Sequence, residues 1–167
     1  AEKATLSIMV GGLLADVEKV LPIFEHMGTT VRHLGQVGNG QLAKACNQVV
    51  VASTMAALSE ALVLADAWSV NRELLLELLG GGLAASEVLR QKSQRWIDGD
   101  YEGGGSSTNQ LKDLNFVAEA AADRNISLAL AETCRKIFEV AVKVDNEGAL
   151  DHSGVIKSIQ RHATVQE

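Results

Sequence analysis

Apolar and polar positions change period three times along the chain. Residues 5–10 alternate and stop at Gly11-Gly12, the two-residue period of a strand followed by a turn. Residues 13–27 carry apolar side chains at helical spacing, with Pro22 expected to kink the helix or restart a turn and Gly28 expected to stop it. Residues 30–34 form a second strand candidate. From 41 to about 70 the apolar positions cover nearly every face, which predicts one long helix, on the order of 45 Å at 1.5 Å per residue, packed on most sides. Asn71 and Ser86 then stand where caps are needed for helices at 72–79 and 87–97, with Gly80-Gly81-Gly82 between them as a hinge. Residues 99–109, which include Gly103-Gly104-Gly105-Ser106-Ser107, read as a loop and as the most mobile segment. Helices at 110–124 and 129–146 follow, and Asp151 or Ser153 caps a last one over 154–162.

Two strands do not make a stable sheet by themselves. The expected fold is therefore mainly α, a helical bundle around one long helix, preceded by a β-α-β remnant of a missing Rossmann-type domain. The expected boundaries are 1–37 for that remnant and 38–167 for an all-helical domain. Ala1 is not an initiator methionine, and no Gly-x-Gly-x-x-Gly fingerprint stands behind a strand, which fits an expectation that the dinucleotide-binding half lies upstream.

Composition narrows the function classes. At 167 residues and 47% apolar content the chain can bury one sizeable core. Its net charge of −6, with no cluster of Lys and Arg, argues against nucleic acid and anionic membrane as partners. The longest uncharged stretch, 45–59, is short for a membrane span and contains Asn47, Gln48, Ser53, Thr54 and Ser59. Cys46 and Cys134 lack disulfide-framework or zinc-ligand spacing, and both are expected to be buried thiols in a reducing, cytoplasmic compartment. His26, His33, His152 and His162 share no i,i+3 or i,i+4 relationship, so no metal site is expected. Asp151-His152-Ser153 has the residue types of a hydrolase triad, but adjacent positions point apart, and capping accounts for Asp151 and Ser153. Trp68 and Trp96 are expected as core or interface anchors.

The concentrated chemistry lies at the mouth of the long helix. Lys44, Asn47 and Gln48 are three and four apart and share one face, so an ammonium stands beside two carboxamides. Hydride transfer to or from a carbon changes the charge on its oxygen, and a lysine that gives or takes a proton in step lowers that barrier. Neutral carboxamides can orient a substrate hydroxyl or carboxylate without locking the lysine in a salt bridge.

Gly38, Gly40, Lys44 and Asn47 form Gly-x-Gly-x-x-x-Lys-x-x-Asn, which resembles the catalytic signature of the β-hydroxyacid dehydrogenases. Lys112-Asp113-Leu114 resembles the Lys-Asp-Leu segment of that family. The resemblance implies an NAD(P)-dependent oxidoreductase that interconverts a small hydroxyacid and its aldehyde- or keto-acid. It implies Lys44 as the catalytic residue, Asn47 and Gln48 as substrate-binding, and Lys112, Gly38 and Gly40 as cofactor-binding. NAD or NADP would be held mainly by the upstream domain, with Lys112 facing it across the interdomain cleft. This chain alone would be inactive, and a homodimer or higher homo-oligomer is implied.

Gln48, where many members have a second Asn, and the run Gly80-Gly81-Gly82-Leu83-Ala84-Ala85-Ser86 resemble the tartronate semialdehyde reductase branch more than the 3-hydroxyisobutyrate dehydrogenase branch. One departure stands out: the loop before Lys112 usually carries Pro-Gly-Phe and an arginine, and Gly103-Gly104-Gly105-Ser106 stands there instead. That change favours the alternative of a non-catalytic helical dimerisation module, whereas Lys44, Asn47 and Lys112 favour the enzyme.

Overall fold

The computed structural model describes residues 4–163. The chain forms two compact units, one running to Asn47 and the other starting at Gln48, a division that falls inside the longest helix. Residues 1–3 and 164–167, where the outer limits of both expected segments fall, lie outside the described residues.

The first unit is β-α-β. Strand β1 (Ser7–Val10), helix α1 (Leu14–Glu25) and strand β2 (Thr30–His33) follow in order, and β1 pairs in parallel with β2, Ser7 opposite Thr30 and Val10 opposite His33. Helix α1 is a single helix running through Pro22, not a helix restarted there. The proline lies in its last turn, where one lost internal hydrogen bond is tolerated. The His33 ring meets the Gly12 carbonyl at 2.8 Å and the Gly35 carbonyl at 2.9 Å through Nε2. Two carbonyl acceptors require that nitrogen to carry the proton, and the pair ties the turn after β1 to the loop after β2.

Helix α2 (Asn39–Ala67) has 29 residues, about 43 Å in length. By length and composition it could cross a membrane. However, Ala52, Met55, Ala56, Leu58 and Leu62 are all buried in the core of the second unit, as befits a core helix covered on several sides.

Around that part of α2 the second unit builds α3 (Arg72–Gly80), α4 (Glu87–Asp98), α5 (Ser107–Ala122), α6 (Ala129–Lys143), a 3-10 turn (His152–Gly154) and α7 (Val155–His162). Trp96 and Phe138, both wholly buried, anchor the core, and the Trp96 indole donates to the Ser153 carbonyl at 3.1 Å. Removing such a side chain costs about 3–5 kcal/mol. Trp68, by contrast, is 79% exposed and belongs to no core. Asn71 and Ser86 cap α3 and α4 as expected, accepting from the Leu74 and Leu89 amides. Helix α5 begins three residues before the expected position because Ser106 is its N-cap, accepting from the Asn109 amide. Cys134 is buried but Cys46 is exposed, contrary to expectation. Ala45 takes the buried position, and its neighbour is turned about 100° away around the helix.

Candidate active site

The start of α2 is set by glycine geometry in the first unit. Gly38 has φ +95°, a left-handed turn conformation that other residues adopt only at a cost. A Cβ on Gly40 would lie 2.5 Å from the Met9 carbonyl oxygen, so glycine there lets the helix pack against β1. Asn39 closes the turn by donating from Nδ2 to the Leu34 carbonyl at 2.7 Å. Both glycines of the motif thus have a backbone reason to be present. Lys44 and Asn47 follow on α2 and are exposed, and Gln48 is half-buried.

In the second unit the Gln48 carboxamide donates from Nε2 to Asp113 Oδ2 at 2.7 Å, a part-buried hydrogen bond. A carboxylate only accepts, so the amide group of Gln48 faces α5. Leu111 and Leu114 point into the core, while Lys112 is exposed. Lys112 shares a shallow hollow on the face of α5 with Thr108, Asn115 and the half-exposed Phe116. The Gln48–Asp113 contact escaped sequence reading because helix periodicity relates positions within one helix, and these residues are 65 apart.

The glycine-rich segment expected to be the most mobile is instead laced to the segment before α7. Asp151 is wholly buried and bonds Lys92, Gly105 and Ser153. Burial pushes its carboxyl up, but Lys92 and the two Ser153 donors outweigh that and hold it below the usual range. His152 is packed beside Gly105, and burial pushes its imidazole below the ordinary value against the pull of Asp151. Its Nδ1 lies 3.1 Å from Gln110 Oε1, while the Ser153 hydroxyl donates to Asp151. The three adjacent residues therefore make no nucleophile–base chain; Asp151 caps the 3-10 turn by accepting from the Ser153 amide, whereas α7, which it or Ser153 was expected to cap, has Gly154 at its N-cap and no side-chain cap, because the intervening turn separates them.

A parallel β-α-β unit thus leads through one long helix into a helical bundle, and comparison with known proteins defines the class. The family model for the NAD-binding domain of NADP-dependent 3-hydroxyisobutyrate dehydrogenase matches residues 38–159, and that for the NAD binding domain of 6-phosphogluconate dehydrogenase matches 1–35. The chain belongs to the β-hydroxyacid dehydrogenase family, whose cofactor is NAD(P). It is 33% identical to 2-hydroxy-3-oxopropionate reductase of Escherichia coli, the match covering 96% of this chain and 54% of that protein. It is similar in structure to 3-hydroxyisobutyrate dehydrogenase of Salmonella typhimurium, with a TM-score of 0.88 and 25% identity over 94% of this chain and 55% of that one. It is similar also to the Mycobacterium tuberculosis 3-hydroxyisobutyrate dehydrogenase with L-serine, with a TM-score of 0.84 and 27% identity over 96% and 57%. The chain spans about half the length of the curated relatives it matches.

Proposed function

We propose that this chain is the helical portion of an enzyme that interconverts a small hydroxyacid and its aldehyde- or keto-acid, with 2-hydroxy-3-oxopropionate (tartronate semialdehyde) as the preferred substrate class. Lys44 exchanges a proton with the substrate oxygen as hydride moves. Asn47 and Gln48 orient the substrate, and Gln48, its amide end turned to Asp113, offers its carbonyl oxygen to a hydroxyl. Lys112 serves the cofactor side. When bound, NAD(P) would supply or accept the hydride. The residues present suit part of such a molecule: an ammonium, a carboxamide and an aromatic edge lie together at Lys112, Asn115 and Phe116. No Gly-x-Gly-x-x-Gly cradle for its pyrophosphate occurs in the sequence, so this chain alone binds NAD(P) weakly and is inactive.

The observation that carries the reading is the Gln48–Asp113 hydrogen bond, which joins the segment after Lys44 to the Lys-Asp-Leu segment. Assay of the complete enzyme tests it. Reduction of 2-hydroxy-3-oxopropionate should outpace oxidation of 3-hydroxyisobutyrate in kcat/KM, and the absence of both activities would remove the proposal.

The working assembly on this reading is a cytoplasmic homodimer or larger homo-oligomer. An apolar groove of about 860 Å³, lined by Val63 and Leu64 of α2, Ile137 and Val140 of α6 and Ile159 of α7, supports a second copy as its cover.

A further inference from the structure

The Asp151 carboxylate lies at the crossing of three segments. Its Oδ2 accepts from Lys92 Nζ of α4 at 2.7 Å and from the Gly105 amide at 3.1 Å, and its Oδ1 accepts from the Ser153 amide at 3.0 Å and hydroxyl at 2.6 Å. The backbone on either side is paired as well. The Asp151 amide donates to the Tyr101 carbonyl at 2.8 Å, that of His152 to Gly105 at 2.7 Å, that of Ser107 to Leu150 at 2.8 Å, and that of Thr108 to Gly148 at 3.0 Å. Segments 101–108 and 148–154 thus run laced together, with the Lys92–Asp151 pair at their centre. Lys92 is itself 14% exposed.

Stability alone does not account for such a pair. Taking a carboxylate and an ammonium out of water costs several kcal/mol per ion, and a well-packed apolar pair often serves as well or better. What charge adds is direction. The carboxylate fixes Gly105, the next residue caps α5, and α5 must then begin at Ser107. Gly104 carries the imprint of the same demand: its φ is +77°, and a Cβ there would overlap Asp151 Oδ2. Lys112 and Asp113 stand less than two turns inside α5. A slip of one residue at its start would turn them by about 100° and shift them about 1.5 Å. Misplacement on that scale can cost about 10²-fold in rate.

We propose that Lys92 and Asp151 form a positioning pair that sets the register of α5 and so directs Lys112 toward the cofactor and Asp113 toward Gln48. The inference rests on the proposed function only in giving Lys112 and Gln48 a role at the dehydrogenase site.

Two measurements on Asp151→Asn test it, with Lys92→Arg as the conservative variant. In this chain, amide hydrogen exchange should rise about tenfold across 105–113, the worth of one charge-assisted hydrogen bond, while the amides of α2 and α6 keep their protection. In the complete enzyme the cofactor KM should rise more than kcat falls, and Lys92→Arg should stay close to wild type in both measurements. A uniform rise in exchange through α2, α5 and α6, or none at 105–113, overturns the proposal. If Asp151→Asn does not fold, Lys92→Met is read on the same two quantities. Lys112→Ala separates the two claims. If it raises the cofactor KM and Asp151→Asn does not, positioning is wrong; if it leaves the KM alone, the proposed role of Lys112 is wrong and the register of α5 is judged by exchange.

Discussion

The Gln48 carboxamide and the Asp113 carboxylate, 65 residues apart in sequence, meet at 2.7 Å and hold α5 against the core helix α2. Asp113 belongs to the Lys-Asp-Leu segment, and Gln48 directly follows the Lys-x-x-Asn motif in sequence.

That contact has a measurable energy. Asp113→Leu leaves a half-buried amide donor without its acceptor, a loss of about 1–3 kcal/mol. A double-mutant cycle with Gln48→Leu should give a coupling of about 0.5–3 kcal/mol in denaturant unfolding of the chain. Strict additivity of the two single variants would mean that the pair does not interact in solution.

Lys112 is expected to act on the cofactor and not on the proton in flight. Lys112 is exposed in the second turn of α5, beside Asn115 and Phe116. Lys112→Ala in the complete enzyme should therefore raise the KM for NAD(P) more than it lowers kcat, with stability unchanged. Steady-state kinetics with both cofactors gives the answer, and an unchanged KM removes Lys112 from the site.

His152 should confer a pH dependence on stability. Burial favours its neutral form in the fold, with Asp151 pulling the other way and Lys92 and Arg95 adding to the effect. The unfolded chain therefore binds the proton more readily. The contribution of His152 is whole above the unfolded value of about 6.5 and declines as pH falls from there toward the lower folded value. Unfolding free energy should drop on acidification through that window, with a shallower slope in His152→Gln. Asp66, held low by its hydrogen bond to Arg72, and Asp151 act in a separate window. Their contribution is present above the unfolded value of about 3.9 and is lost as pH falls through the lower folded values.

The apolar groove gives a test of assembly. Leu64 at its rim is 63% exposed and Val144 is 62% exposed. Light scattering should report a dimer or larger species, and Leu64→Glu should shift it toward monomer without unfolding it. A monomeric wild-type chain at high concentration would contradict the expectation.

Much of this architecture was legible in local signals. Asn71 and Ser86 announced their helices because a cap acts within three residues, and the β-α-β order followed from period and turn residues. What stayed hidden was set by tertiary partners. Ser106 read as loop because its neighbours are glycines, yet the Asp151 carboxylate holds the adjacent Gly105 and lets α5 start there. Cys46 was expected inside because cysteine usually is, but its place on the helix puts Ala45 inward. At the site, the polar face of Lys44, Asn47 and Gln48 could be read from spacing alone. The Asp113 partner and the Lys92–Asp151 brace depend on residues brought together only by packing.

The central claim is that Lys44 moves the proton that accompanies hydride transfer. The most direct test is single-turnover and steady-state kinetics of Lys44→Ala in the complete enzyme at saturating cofactor and substrate. The account predicts a fall in kcat of about 10²-fold or more, the usual worth of a positioned acid–base group, with cofactor affinity near that of wild type. Wild-type turnover by that variant would contradict it.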